Sequence, residues 1–418
     1  MKNSDHATDI RPLLLVGWHA KALDALTARG REVLCAIDPR EKEEARRHGV
    51  LERCIVVADS GNAEAVLSGL ARSGLDLAGF AGVWSARELG LIPAGVLATL
   101  AGCDGMPYST AIALRDKYTQ KSLVRAAGLP VTDCRIADET ADIVNGYTGG
   151  RVVIKPLAGA ATRDTYVAAD QQEVVQVAEH LAEGARGPWL VEGFVEGAEL
   201  HLDGVVRGGE LVLLGISRYL QNVIEIRNGG VVGSVILEPD ANKGLYAEGT
   251  ALTRLALEAL GHRDGVFHLE AFHSADGLVF SECAGRIGGG LIRDSILLRF
   301  GVDMVEAWAD VVEGADFRPG NPDSTAAYGF IHVPAPEGRL VELPTQEEAS
   351  ELPGCDVVRI DARPGQVVGD TSAGSDVRAA RVLVHGADED EVRRRLSEVL
   401  DWFSGRIMVA DASTEVVT

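Results

Sequence analysis

Two glutamates near the middle of the chain, Glu270 and Glu282, could together hold a divalent cation. A turn-prone segment, residues 274–277, separates them and predicts a β-hairpin. A three-residue loop with a left-handed glycine would place the two glutamates directly opposite each other. A two-residue Asp-Gly loop would place them on opposite faces of the hairpin. We favour the first arrangement, because it also pairs Phe272 with Phe280 across the strands.

In that register the two carboxylates stand roughly 5 Å apart, and they repel by about 3 kcal/mol at an effective dielectric constant near 20. A fold tolerates such a pair when a divalent cation or a shared proton compensates for the repulsion. Because all the ligands would be oxygen atoms, magnesium is favoured over zinc, with manganese as the alternative. Two solvated glutamates on an exposed strand remain the competing interpretation.

An arginine and three glycines follow the second glutamate directly. Arg286 carries a permanent charge and can bind a phosphate or a carboxylate through two parallel hydrogen bonds. Gly288, Gly289 and Gly290 leave backbone N–H groups open to an anion. The segment is therefore a candidate anion site beside the candidate metal site.

Two lysines further upstream could contact phosphate groups. Lys117 lies in the first turn of a predicted helix that is N-capped by Asp116. Lys155 ends a β-rich run and precedes a small, polar segment, residues 158–165. Either lysine alone is as a rule a surface residue, so the prediction rests on their order along the chain.

A third candidate region follows these lysines. Glu192 and Glu199 flank an apolar crossover, Phe194 and Val195, where a planar base could pair with backbone groups.

Alternating strands and helices must position these side chains. The first hundred residues predict a parallel α/β sheet, with strands at residues 12–17, 33–37, 54–58 and 79–84 and a helix at 20–28. Its first strand-to-helix turn, Gly17-Trp18-His19, lacks the GxGxxG pattern of dinucleotide-binding proteins.

The rest of the chain predicts a β-hairpin over residues 199–206 and 210–217 and a C-terminal helix over 388–403. From residue 334 the composition shifts towards proline, glycine and acidic residues, which predicts a domain boundary there.

Composition limits the classes of function. The chain has 418 residues and a formal net charge of −22, which argues against binding to nucleic acids or anionic membranes. Its apolar runs are too short for a signal sequence or a membrane span. Six scattered cysteines without a CxxC pair indicate reduced thiols and a cytoplasmic protein.

Taken in order, these motifs resemble those of the ATP-grasp superfamily of carboxylate–amine ligases. The resemblance implies a mixed α/β and α+β ATP-grasp fold that binds ATP between two subdomains. It implies a Rossmann-like pre-ATP-grasp domain at residues 1–110, an ATP-grasp domain at 111–333 and a C-terminal α+β domain at 334–418. Within the ATP-grasp domain, the small subdomain would span residues 117–195 and the large subdomain 196–333.

The resemblance also assigns roles to residues. Glu270 and Glu282 would bind Mg²⁺, or Mn²⁺ as the alternative. The residues that would contact ATP are Lys117, Lys155, Thr162, Arg163, Glu192, Phe194, Val195 and Glu199. Lys155, Arg286 and Gly289 would act in catalysis.

Within the superfamily, the segment Glu-Cys-Ala-Gly-Arg-Ile-Gly-Gly-Gly and the C-terminal unit look most like the L-amino-acid ligases, which make dipeptides or related amides, often for specialised metabolites. The implied reaction forms an acylphosphate from a carboxylic acid and ATP, and an amine then displaces the phosphate. The residues expected to contact these small-molecule substrates are Arg218, Arg227, His268, Arg286, Gly288, Gly289, Gly290 and Arg293. A buried structural role for His268 is an equal alternative.

The sequence departs from the family pattern at Ala284, where an asparagine commonly supplies a third metal ligand. This departure keeps open the interpretation of a nucleotide-binding protein without catalysis. A bicarbonate-using carboxylating ligase of the biotin carboxylase or purine-pathway type is a further alternative. Many relatives form dimers, so a homodimer is also an expectation.

Overall fold

The structure is a computed structural model, and it describes residues 10–159, 163–184, 187–320, 326–369 and 378–410. Within these ranges, no helix combines the length and the apolar character that a membrane span requires.

The N-terminal region forms the predicted parallel sheet, with the strand order β3-β2-β1-β4. Its strands are β1 (Leu13–Val16), β2 (Val33–Ile37), β3 (Cys54–Val56) and β4 (Gly82–Trp84). The helices of this region are α1 (Ala20–Ala28), α2 (Lys42–Arg47), α3 (Ala63–Arg72), α4 (Leu91–Ala101) and α5 (Tyr108–Ala113). The predicted strands and the helix at residues 20–28 are confirmed, because buried aliphatic runs alternate here with amphipathic segments.

A small antiparallel sheet follows, with the order β5-β8-β6-β7. Its strands are β5 (Cys134–Ala137), β6 (Val152–Pro156), β7 (Tyr166–Ala168) and β8 (Trp189–Gly193). The helices of this part are α6 (Lys117–Ala126), α7 (Thr140–Asn145) and α8 (Gln171–Gly184). The predicted N-cap of α6 is confirmed, since the Asp116 side chain accepts a hydrogen bond from the Thr119 N–H at 2.6 Å.

The largest sheet has the strand order β13-β12-β9-β10-β11-β14-β18-β16. Its strands up to residue 333 are β9 (Ala198–Arg207), β10 (Glu210–Tyr219), β11 (Gly233–Ile236), β12 (Gly265–Ser274), β13 (Gly277–Ala284) and β14 (Ala327–Val333). A separate small sheet, in the order β17-β15-β19, comprises β15 (Gly338–Glu342), β17 (Val367–Val368) and β19 (Met408–Ala410). The remaining strands of the largest sheet are β16 (Cys355–Ile360) and β18 (Ala380–Gly386).

The remaining α-helices of the described residues are α9 (Lys243–Ala259), α10 (Ile292–Phe300), α11 (Met304–Val312), α12 (Gln346–Ser350) and α13 (Glu389–Ser404). The predicted C-terminal helix is confirmed as α13, and the predicted hairpin as β9 and β10. The largest sheet continues across residue 334, because β18 pairs with β14 along its whole length. The domain boundaries therefore stay predictions.

The hairpin of β12 and β13 pairs Glu270 with Glu282 as predicted, but by a different route. Its loop is the two-residue turn between Ser274 and Gly277, so the predicted three-residue loop is wrong. A bulge near residue 281 then shifts the register by one residue, which brings the glutamates opposite each other. The predicted pairing of Phe272 with Phe280 is also wrong, because the turn pairs Phe272 with Val279.

Candidate active site

A cavity of about 410 Å³ lies between two sheets. One is the small sheet of β5, β6, β7 and β8, and the other is the end of the largest sheet that contains β9, β10, β12 and β13. Most of the residues predicted to do chemistry line the cavity: Lys117, Lys155, Arg163, Glu192, Phe194, Val195, Glu199, His268, Glu270, Glu282, Arg286, Gly289 and Gly290. The fold thus brings together side chains that are up to 173 residues apart, from Lys117 to Gly290.

Other predicted site residues lie elsewhere. Arg293 is held in an ion pair with Asp303, and the Arg227 guanidinium lies 4.0 Å above the ring of Tyr166. Neither these arginines nor Arg218 and Gly288 line the cavity. Thr162 lies outside the described residues, so its role stays a prediction.

Helix α6 brings Lys117 to the second glutamate because it is fastened to β13. The Gln120 side chain donates to the carbonyl of Cys283 at 2.7 Å and accepts from its N–H at 2.9 Å. Lys117 Nζ then lies 3.2 Å from Glu282 Oε2 and donates to the carbonyl of Gly159 at 3.0 Å. The lysine therefore connects the metal candidate with the segment predicted to contact phosphate.

A buried glutamate also holds two lysines at the cavity. Glu192 accepts from Lys155 Nζ at 2.7 Å and from Lys121 Nζ at 2.8 Å. Burial alone would raise the pKa of Glu192, but the charges of the two lysines lower it to about 2. Lys155 Nζ also lies 4.0 Å from Glu282 Oε2.

The two candidate metal ligands are held by different partners. Burial alone would raise the pKa of Glu282, but Lys117 and Lys155 lower it to about 2. Glu270 Oε1 accepts from the Tyr219 hydroxyl at 3.1 Å and lies 3.4 Å from His268 Nε2. Among the described residues, neither Glu270 Oε2 nor Glu282 Oε1 accepts a hydrogen bond. Two carboxylates with one available oxygen each fit a hard cation such as Mg²⁺.

A third carboxylate stands close to this pair. Burial and the negative charge of Glu270 raise the pKa of Glu199 to about 8. Its Oε2 accepts from the Val223 N–H at 2.7 Å, while its own N–H donates to the Asn222 side chain at 2.9 Å. Any positive charge entering the cavity here would favour the ionised form of Glu199.

Beside the cavity, His268 is buried and interacts with two acids. Burial alone would lower the pKa of His268, but Asp203, with Glu270 adding to its effect, raises it to about 10. The alternative structural role of His268 and its predicted substrate contact both remain compatible with this position.

Sequence reasoning missed several residues of the cavity. Glu88, in the N-terminal region, accepts hydrogen bonds from Arg286 and, at 2.6 Å, from Arg115 Nη1. Arg115 also donates to the carbonyl of Ala158 at 2.7 Å. No local pattern marks Glu88, whereas Lys121 follows Lys117 by one helical turn and could have been inferred from that spacing.

Three comparisons relate the chain to known proteins. A family model described as "L-amino acid ligase C-terminal domain 2" matches residues 331–402. An "L-arginine-specific L-amino acid ligase" of Bacillus subtilis is 25% identical over 353 residues, which cover 82% of this chain and 84% of that protein. "Dapdiamide A synthase" of Enterobacter agglomerans is 23% identical over 281 residues, which cover 63% of this chain and 65% of that protein.

The fold is also that of a solved ligase. The crystal structure of an L-amino acid ligase from Bacillus licheniformis matches with a TM-score of 0.75 at 17% sequence identity, covering 97% of this chain and all of the other. The predicted resemblance to the ATP-grasp amino-acid ligases is confirmed by these comparisons.

Proposed function

The chain has the ATP-grasp fold and resembles the L-amino-acid ligases, and from this premise we propose that it is an ATP-dependent carboxylate–amine ligase. It joins an amino acid or a related acid to an amine, and it releases ADP and phosphate. One observation carries the proposal: Lys117 and Lys155 face Glu282, which pairs with Glu270, inside a single cavity.

Phe194 and Val195 would hold the base of ATP, and Lys117, Lys155 and Arg163 would neutralise the charge of its phosphates. The two lysines support this because they line the cavity beside the small-residue segment. Glu199, at the start of β9, would contact the ribose. Thr162 would belong to the same phosphate-binding segment.

Glu270 and Glu282 would hold Mg²⁺, with Mn²⁺ as a substitute, since their available oxygens are the ligands that such cations prefer. The cation would neutralise the phosphate charge that the two lysines leave uncompensated.

Arg286, Gly289 and Gly290 line the cavity, and the Arg286 guanidinium and the backbone N–H groups of the two glycines would position the substrate acid. One of its carboxylate oxygens attacks the γ-phosphorus, the bond to the β-phosphate oxygen breaks, and ADP leaves with that electron pair. The amine then attacks the acyl carbon, inorganic phosphate departs, and the amine loses a proton to give a neutral amide. Positioning and charge neutralisation supply most of the rate enhancement.

A screen of amino-acid pairs tests this function. Purified protein, Mg²⁺ and ATP are incubated with each pair, ADP release is measured by a coupled assay, and product masses are recorded. We expect ADP release that requires both substrates and a product lighter by one water than the sum of the pair.

ADP release that requires bicarbonate and no amine would indicate a carboxylating ligase instead. Nucleotide binding without turnover over the whole panel would indicate a non-catalytic protein. Because ATP is the co-substrate, we expect the protein to act in the cytoplasm, and a homodimer stays a prediction.

A further inference from the structure

Beneath Glu270 lies a buried polar cluster that the proposed reaction does not use. His201, Asp203 and His268 expose only 1%, 0% and 9% of their surfaces. An ionised carboxylate in such a place is costly unless its oxygens are satisfied by hydrogen bonds. The cluster therefore needs an explanation beyond packing.

The strand register places this cluster directly beside the candidate metal ligand. His268 pairs with Asp203 and Glu270 with His201 across β12 and β9. Because residues two apart on a strand share a face, all four side chains lie on the face of the sheet that borders the cavity.

Hydrogen bonds connect the members of the cluster, and an ion-pair contact extends the network to Glu270. Ser234 Oγ lies 2.8 Å from His201 Nε2, and His201 Nδ1 lies 2.5 Å from Asp203 Oδ2. The other aspartate oxygen, Oδ1, lies 2.8 Å from His268 Nδ1. His268 Nε2 then lies 3.4 Å from Glu270 Oε1, the oxygen that also accepts from Tyr219.

The same three side chains offer ligand atoms within 4.8 Å of one another, which is close enough for a metal ion. Their hydrogen bonds argue for a network instead. Both ring nitrogens of His201 and both oxygens of Asp203 already have partners within it. His268 uses Nδ1 for Asp203 and turns Nε2 towards Glu270, so an ion bound here would have to displace hydrogen bonds that the cluster already makes.

The glycine-rich turn packs against this network at one point. A Cβ atom on Gly288 would lie 2.8 Å from Asp203 Oδ1 and 2.9 Å from His268 Nδ1. Real side chains do not approach that closely, so the position requires glycine. The turn that carries Arg286 therefore packs directly against the hydrogen-bonded side chains of Asp203 and His268.

We propose that Asp203 is a positioning residue that acts through His268 to hold the Glu270 carboxylate for the metal–nucleotide complex. Asp203 fixes the orientation of the imidazole, and the imidazole and Tyr219 together hold Glu270 Oε1. Glu270 Oε2 is thereby kept free for the cation. Outer-shell partners of this kind order a ligand before the metal arrives. The inference rests on the proposed function for the identity of the bound complex.

The test measures Mn²⁺ binding by electron paramagnetic resonance in the presence of a non-hydrolysable ATP analogue, without acid or amine. The amide nitrogen of asparagine occupies the position of Nδ1, and that of glutamine the position of Nε2. His268→Asn keeps a hydrogen-bond partner for Asp203 but loses the contact with the Glu270 carboxylate. His268→Gln instead keeps a hydrogen-bond donor to Glu270. We expect His268→Asn to raise the Mn²⁺ dissociation constant about tenfold or more, and His268→Gln to raise it less.

Asp203→Ala tests the part of the hydrogen-bonded network that acts on His268. We expect it to weaken Mn²⁺ binding about tenfold in the native background and to have no further effect in the His268→Gln background, where residue 268 no longer contacts Asp203. His273→Asn, an exposed histidine on the same strand, is the matched control and should bind Mn²⁺ as the native chain does. Thermal unfolding checks that each variant is folded.

Equal Mn²⁺ affinity of the two folded His268 variants would overturn the proposal, and that comparison decides the matter if Asp203→Ala does not fold. A stoichiometric transition metal in the purified protein that Asp203→Ala loses would also overturn it, since the cluster would then be a metal site. Absence of ADP release with every substrate pair counts against the proposed ligase only, because Mn²⁺ and nucleotide binding need no turnover.

Discussion

The cavity has two walls of opposite character. The lysine wall consists of Lys117, Lys121 and Lys155, and the glutamate wall consists of Glu199, Glu270 and Glu282. Two buried glutamates seven residues apart illustrate the difference: lysines lower the pKa of Glu192 to about 2, while burial and Glu270 raise that of Glu199 to about 8. Residue type and burial are the same, so the neighbouring strands and helices decide the charge.

This contrast suits a polyphosphate bound together with a cation. Glu192 compensates for part of the positive charge of the lysine wall, because it accepts from Lys121 and Lys155. The glutamate wall keeps a negative charge that a divalent cation would neutralise. Substitutions in the lysine wall and substitutions in the glutamate wall should therefore affect different parts of the proposed reaction.

The largest effect is expected on the glutamate wall. Glu282→Gln keeps the shape of the side chain but removes the charge, so ADP release at saturating Mg²⁺ should fall at least about a hundredfold. Glu342→Gln, an exposed change on β15, is the control and should release ADP at the native rate. Unchanged turnover of Glu282→Gln in the coupled ADP assay would contradict the metal assignment.

On the lysine wall, Lys155→Ala should raise the KM for ATP about tenfold or more, because a charged hydrogen bond to phosphate contributes about 1.5–3 kcal/mol. The KM for the acid should change little. Lys243→Ala removes an exposed lysine on α9 and serves as the control. If only the KM for the acid rises in steady-state kinetics, Lys155 belongs to a different site.

Glu192 should make part of the stability of the chain depend on pH. Its folded-state pKa of about 2 lies below the ordinary value of 4.5, so its stabilising contribution is complete above pH 4.5 and is lost as the pH falls towards 2. Glu192→Gln should therefore be less stable than the native chain near neutral pH, and the gap should narrow across that acidic range. Urea unfolding midpoints of both proteins measure this gap, and a gap independent of pH would contradict the charged pair.

The smallest effect is expected at a contact outside both walls. Arg227 lies over Tyr166 of the small sheet, so Arg227→Ala should weaken ATP binding by about 0.5–1 kcal/mol, or a few-fold. Arg406→Ala breaks a similar contact with Trp402, 4.3 Å from ring centre to guanidinium, far along the chain. Isothermal titration with an ATP analogue compares the two, and equal affinities would mean that the contact does not close the cavity.

Much of the candidate site could be predicted because its residues lie in short segments with recognisable sequence patterns. Lys117 follows an N-cap, Lys155 ends a strand, and Arg286 stands beside three glycines. Glu88 and Asp203 have no such local mark, since their partners Arg286 and His268 are 198 and 65 residues away in the chain. Their roles depend on contacts that no periodicity encodes.

The pairing of Glu270 and Glu282 shows the limit of predicting strand register from the sequence of one hairpin. The expected loop was wrong, yet the pair is correct because a bulge compensates for the shorter turn. The bulge occurs where the Phe280 N–H donates to the carbonyl of Pro130 at 2.9 Å, in a segment outside the hairpin. The strand register of the hairpin is thus accompanied by a backbone contact with a segment that lies outside the hairpin sequence.

The sequence by itself determined the type of fold, the order of the motifs and the candidate phosphate-binding residues, because these depend on local propensity and side-chain chemistry. Only the tertiary structure decided which glutamate is charged, how Glu270 is held and which residues support Arg286. Those properties follow from electric fields and hydrogen bonds between distant segments, and such interactions exist only once the chain has folded.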